Sequence, residues 1–449
     1  MGSPMRFMRH AYVILGLVSL TTPAFAVDRE DYERDPLPPG LQVVATELEG
    51  PVFADARGKT LYAWPRKNLR NGDTGEQKGR PACDDTRYTE TAGLMSPYPP
   101  GLTLPDAANR PSCVDVWPPL LAEAGAKDIG KWTVVDRKDG RKQWAYDGYA
   151  LYTSVLDELP GDTRGGSKRR TGGDSPAYRE PVGPKPAIPA QFGVFPTAYG
   201  RLLATAKGFS VYTYDKDTAG KSNCSGECLR EWEPVLAAET AVARGEWTKV
   251  ERLPGVMQWA YRKKPLYTRV SDDRARSLEG SDVPGWHNVY TQHIPALPKG
   301  FSVQDAIAGE VVADAKGHTV YIYNCGDDAM DQLACDHPGA PQAYRFAVCG
   351  GGDPARCLAT FPYVIADKGA KSDSRAWTTI DIDPKTGGYA AAGQAGALHV
   401  WAFRGRPVFT FFKDTKPGQV NADGWGEFNG IRNGFKAFWL RDDFRGNAG

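Results

Sequence analysis

The chain has no excess of either charge, few histidines and, beyond its N-terminus, no long apolar run. Its 55 Lys and Arg offset 54 Asp and Glu. That balance provides no electrostatic footprint for a phosphate backbone, so nucleic acid is not an expected partner. No later segment approaches 18 uninterrupted apolar residues, which excludes an integral membrane helix from the mature part. His287, His293, His318, His337 and His399 lack the spacing of zinc ligands. There is no Cys-x-x-Cys-His for covalent haem, no Gly-x-Ser-x-Gly, no His-Glu-x-x-His and no standard phosphate-cradling glycine loop. No catalytic residue and no cofactor is therefore expected.

What is plentiful is turn and strand chemistry. Fifty Gly and 35 Pro stand beside 12 Trp, 20 Tyr and 17 Phe, a composition that favours short strands joined by many turns over long helices. At the N-terminus, Arg6, Arg9 and His10 precede an apolar run from Ala11 to Leu20, and Ala24-Phe25-Ala26 supplies small residues for cleavage. This is the pattern of a signal peptide spanning residues 1–26, and about ten apolar residues rise only ~15 Å, too little to cross a bilayer. A periplasmic or secreted location follows, soluble after cleavage near Ala26. An oxidising space makes four disulfides the economical reading of eight cysteines.

One fifteen-residue string recurs three times: GPVFADARGKTLYAW from Gly50, GRLLATAKGFSVYTY from Gly200 and GEVVADAKGHTVYIY from Gly309. Apolar residues alternate about Arg57-Gly58, Lys207-Gly208 and Lys316-Gly317, which predicts a β-hairpin in each copy. A second string follows each time: Trp132 to Tyr152, Trp247 to Tyr267 and, more loosely, Trp377 to Phe409. It too predicts a hairpin. The halves of one module also echo each other, GKTLYAW with GYALYTS, so each module reads as a duplicated unit.

Between the hairpins, Cys113, Cys228 and Cys357 each precede an aromatic by four residues, with proline soon behind, which predicts one helical turn stopped by proline. Upstream lie Cys83, Cys224 and Cys335. The intervening loops hold 29, three and 21 residues. A covalent staple tolerates such variation better than a metal site does. The expected pairs are Cys83–Cys113, Cys224–Cys228 and Cys335–Cys357, leaving Cys325 with Cys349.

The Gly-x-x-Leu-Tyr-like hairpin, the Asp-rich turn, Cys-x3-Cys followed by Trp and Pro, and Gln-x-x-Tyr closing on Pro-Leu-Tyr resemble the bacterial "secreted repeat of unknown function" lipoprotein family. Module two carries the pattern most fully, in Tyr212, Asp215, Asp217, Cys224, Cys228, Trp232, Gln258, Tyr261, Pro265, Leu266, Tyr267 and Trp286. The chain departs from simple members in having three modules, no lipobox cysteine and two widened connectors. The resemblance implies an exported, largely non-enzymatic module and supplies little chemistry.

The organisation expected is a signal peptide (1–26), an extended arm (27–40), module one (41–160), a Gly/Pro linker (161–190), module two (191–292), a short join (293–300) and module three (301–445). The fold class is all-β, with three tandem disulfide-stapled, sandwich-like modules; a closed propeller-like array of six half-modules is the alternative. The leading function is a binding or assembly module, with an envelope protein or a glycan as the partner in view. Two alternatives differ in class: a redox or copper-handling protein using Cys224 and Cys228, and an enzyme with a site between modules. Asp215 and Asp217, like Asp327, Asp328 and Asp331, carry the oxygen ligands calcium takes, although such carboxylates more often shape turns. Trp64, Trp144, Trp259 and Trp401 are the candidate binding aromatics, most of this class being expected in the core.

Overall fold

Glycines in the left-handed region set the first turn of every module. Gly58, Gly208 and Gly317 have φ of +83°, +88° and +83°, a region costly for residues with a Cβ. Across these turns Ala54 bridges Thr60, Ala204 bridges Ser210 and Ala313 bridges Thr319, so the first expected hairpin forms in all three copies. The structure is a computed structural model and describes residues 30–69, 72–87, 111–166, 179–294, 296–324, 336–426 and 434–442.

An additional strand precedes each turn. Gln42–Ala45 pairs with Pro51–Ala54, Phe192–Thr197 with Gly200–Thr205, and Ser302–Ala306 with Gly309–Ala313, all antiparallel. The second hairpin joins Trp132–Asp136 to Lys142–Tyr146, Trp247–Leu253 to Val256–Tyr261, and Trp377–Ile382 to Leu398–Phe403. Side chains on the inner faces fill the cores, and Trp132, Trp247 and Trp377 are buried in each.

The two halves of each module meet at an equivalent aromatic pair. Tyr62 lies opposite Tyr152, Tyr212 opposite Tyr267 and Tyr321 opposite Phe409, antiparallel each time. A returning strand then flanks the first half: Glu180–Pro181 on Tyr62–Ala63, Trp286–Asn288 on Tyr212–Tyr214, and Gly434–Ala437 on Tyr321–Asn324. Among the described residues the sheets hold two to five strands and remain open. The fold is all-β, and the closed radial array considered from the sequence is not formed.

The cysteine connectors need one correction. Cys83 is bonded to Cys113 and Cys224 to Cys228, and one helical turn follows each second cysteine, Cys113–Val116 and Cys228–Glu231. In module three Cys357 is bonded to Cys349, not to Cys335. The expected Cys325–Cys349 pair falls with it, and Cys325 and Cys335 themselves lie outside the described residues. The cause is a helix not expected from the sequence, Ala343–Gly350, which folds back on the expected turn at Cys357, itself extended to Pro354–Thr360. Ala343–Gly350 ends on Gly351 at φ +64°, and Pro354–Thr360 starts behind Asp353, whose carboxylate accepts from the Ala355 N–H. The tight turn between them brings the two cysteine Cα atoms to 4.6 Å. Gly350 permits the approach, because a Cβ there would lie 2.8 Å from the Cys357 nitrogen.

Modules one, two and three meet at the loop Thr46–Gly50. Leu48 packs into a module-three core with Trp377, Trp401 and Phe438. Glu47 accepts hydrogen bonds from the Ser374 hydroxyl and the Arg375 and Ala376 N–H groups. Gln292 of module two donates its amide to the Thr46 and Glu47 carbonyls. Buried Glu49 pairs with buried Arg404 at 2.7 Å. Such a pair fixes orientation more than it adds stability, because both ions lose their water.

The described part of the arm is extended and docked: Glu30 is paired with Arg201 at 2.7 Å and accepts from the Thr291 hydroxyl. Residues read as a linker are also packed where they are described. Asp162, Thr163 and Arg179 are buried, and Glu180–Pro181 is a strand. The basic run Lys168-Arg169-Arg170 lies outside the described residues.

Candidate functional site

A Pro-x-x-apolar turn opens each module. The N–H of Leu41 donates to the Pro38 carbonyl, Phe192 to Pro189 and Phe301 to Pro298. These turns put Leu41, Phe192 and Phe301 at one register, and the last two are lids. Phe192 packs on Trp247 and Trp259, with ring centroids 4.6 and 6.2 Å apart. Phe301 covers Trp377 and Trp401 at 5.3 and 5.7 Å.

Module one has Leu41 in place of the phenyl ring. Phe53 fills the inner side instead, 4.8 Å from Trp132. The outer side opens as a groove of about 530 Å³ whose lining includes Trp144, Leu41, Leu120, Leu121, Ala126 and Ile129. This is the size of a small-ligand or peptide pocket. Asp55, Arg57, Glu123 and Lys127 form its charged boundary. Asp55 is already committed, because it accepts from the Arg57 side chain and from the N–H groups of Arg57 and Lys59.

Leu121 gives the groove a main-chain edge. It bridges Gln143 in an antiparallel ladder, while Ala122 donates to the Lys142 carbonyl and Trp144 donates to the Leu120 carbonyl. In that register the N–H and C=O of Leu121 point away from the neighbouring strand. Its side chain remains 44% exposed.

The other candidate aromatics are placed in cores. Trp259 and Trp401 lie beneath Phe192 and Phe301. Trp64 forms a box with Trp117 and Tyr152, and buried Arg179 stacks its guanidinium over all three rings at 4.6–5.2 Å. The return strands place Trp286 and Phe435 at the position of Arg179. Trp286 stacks on Trp232 at 3.7 Å, and Phe435 on Phe361 at 3.5 Å. One flat group fills the box in every module: a guanidinium, an indole or a phenyl.

The candidate metal carboxylates are occupied by protein donors. Asp217 accepts from the Tyr267 hydroxyl at 2.7 Å and the Asn223 N–H at 2.6 Å. Burial raises its pKa above the ordinary carboxylate range. Asp215 contacts His287 at 3.0 Å. Among the described residues no group of three metal-ligating side chains is assembled. Asp327, Asp328 and Asp331 lie outside them.

A tyrosine–aspartate hydrogen bond, not expected from the sequence, crosses the two halves of each module, and in module two it is reciprocal. Tyr212 donates to Asp272, five residues after Tyr267, and Tyr267 donates to Asp217, five residues after Tyr212. Tyr62 donates to Asp157, five after Tyr152, and Tyr321 to Asp414, five after Phe409. The spacing was visible in the sequence. Only the antiparallel meeting of the halves shows that each aspartate serves the opposite tyrosine.

His337, which lacks zinc-ligand spacing in the sequence, has a structural place. It is buried, its Nδ1 accepts from the Gly339 N–H and its Nε2 faces the Tyr389 hydroxyl at 3.1 Å. Burial, reinforced by the Arg406 charge, holds its pKa down at about 3, so the ring is neutral. At the nearby joint of modules one and three, Asp162 pairs with Arg375 at 2.6 Å and Glu49 with Arg404. The cavity there has room for about 30 Å³, on the order of one water.

Comparison with known families agrees with the internal symmetry. A family described as "Secreted repeat of unknown function" matches residues 133–168, 193–236 and 396–433. Each of these segments is similar to that secreted repeat. They cover the second half of module one, the first half of module two and the second half of module three, so the family's unit corresponds to a half-module. No curated protein and no solved structure matches the chain. Among the described residues no helix is long and apolar enough to cross a membrane.

Proposed function

We propose that this protein is an exported, non-enzymatic binding module that holds a partner in the groove over Trp144. The carrying observation is the groove itself: Leu41 stands where modules two and three place Phe192 and Phe301 over their tryptophans, and beside the buried Trp144 an apolar groove lined by Leu41, Leu120, Leu121 and Ile129 is open. Exposed apolar surface in a concave site is costly in water and is relieved by a ligand. Export is supported by the basic-apolar-small N-terminal pattern and by the secreted character of the repeat family.

A photo-crosslinking amino acid at position 121 of the full chain, expressed in its native envelope, tests this reading. The expected result is a discrete adduct that disappears in Leu41→Phe, which rebuilds the lid, and is missing when the crosslinker stands at exposed Leu253 of module two. Equal labelling from positions 121 and 253, or none from 121, overturns it.

A further inference from the structure

We propose that the groove's occupant is an extended polypeptide that donates a main-chain N–H to the Leu121 carbonyl and lays an aliphatic side chain against Trp144. This rests on the groove being the binding site and specifies the class of its partner.

Module two shows what such an edge accepts. Leu236 occupies there the register of Leu121, bridging Gln258 as Leu121 bridges Gln143. Its carbonyl receives the side-chain amide of Gln191 at 3.1 Å. Gln191 directly precedes the lid Phe192, and the residue preceding Leu41 is Gly40, which has no side chain. Module one has thus lost both the lid and the internal amide. An amide N–H is the group that module two places on this carbonyl, and a peptide backbone presents the same group.

The exposed side chain supports the same occupant. Leu121, Leu236 and Ile365 share one register and are 44%, 55% and 59% exposed. A large aliphatic side chain contributes little to stability at such exposure, yet all three copies have one. Beside the outward main-chain edge it offers the alternating pattern that an added strand reads: backbone hydrogen bond, then apolar contact. A glycan fits less well. The lining is largely aliphatic and Asp55 is spent on Arg57 and its own turn, so few side chains remain to meet closely spaced hydroxyls.

The experiment uses the full mature chain and three probes: an array of linear decapeptides, a panel of oligosaccharides, and sedimentation of the protein alone. Decapeptides with a central aliphatic residue are expected to bind and to compete with the adduct at position 121. N-methylation of one backbone amide weakens binding at least tenfold, while methylation of the adjacent amide has little effect. Leu41→Phe and Leu121→Glu abolish binding with an unchanged unfolding midpoint. Leu121→Glu sits at an exposed edge and keeps the test open should Leu41→Phe fail to fold. If oligosaccharides compete with the adduct and peptides do not, the groove reading stands and the polypeptide inference fails. Insensitivity to every N-methylation overturns the inference, as does groove-dependent self-association without peptide binding. If neither probe binds and position 121 gives no adduct, both readings fail.

Discussion

Tyr212 donates its hydroxyl to Asp272 at 2.7 Å, and the two residues come from opposite halves of module two. Its mirror pair is Tyr267 with Asp217. Removal of one hydroxyl leaves a buried acceptor short of a donor, which costs more than the net value of the bond. Tyr212→Phe and Tyr321→Phe are each expected to lose about 1.5–3 kcal/mol in denaturant unfolding. A loss below about 0.5 kcal/mol in both would remove the device from the stability account.

Asp157 predicts a pH dependence. Burial pushes its pKa up to about 7, against the pull of the Tyr62 hydroxyl, and nearby Asp162 adds to the rise. The folded state then binds this proton more tightly than the unfolded chain does. Its contribution is therefore full at pH below about 4 and is lost as pH rises towards 7. Asp157→Asn is expected to flatten the decline in unfolding free energy between pH 4.5 and 7.5. A variant with the wild-type slope would contradict the assignment.

Arg179 is buried among three rings with Glu76 as a neighbouring charge. Arg179→Ala opens the box and strands the carboxylate, so a loss of about 3–5 kcal/mol is expected. The double variant Arg179→Met with Glu76→Gln fills the box without either charge and should recover most of it. Equal losses in the two variants would mean that the Arg179–Glu76 charges, and not packing, hold the site.

Loop length separates the staples. Cys83–Cys113 closes a separation of 30 residues and Cys224–Cys228 one of 4. Chain entropy assigns about 3.5 kcal/mol to the first and about 2 to the second. Paired Cys→Ser replacements should follow that order in thermal unfolding, and the reverse order would show that native contacts outweigh loop closure. Intact mass with and without alkylation checks the starting state, since a paired cysteine takes up no label.

The hairpins were legible because alternation about a glycine turn is a local code, and the triplication because the copies align without gaps. The half-module echo was legible for the same reason, and the family match falls on it. The module-three cysteine partner was not. Cys335 and Cys349 are equally plausible along the chain, and the outcome depends on two short helices folding back at Gly351. Their sequence, AYRFAVCG and PARCLAT, carries too few turns to announce helix by periodicity.

The sequence by itself determined the repeats, the strands and the likeness of three segments to a secreted repeat, since each is a pattern of neighbours along the chain. Tertiary structure alone decided which tyrosine meets which aspartate, what fills each aromatic box and where an apolar groove is left open. Those outcomes depend on residues tens to hundreds of positions apart sharing one volume. Leu41 and Phe192 are both ordinary apolar residues in sequence. Only packing shows that one closes a core and the other leaves a groove.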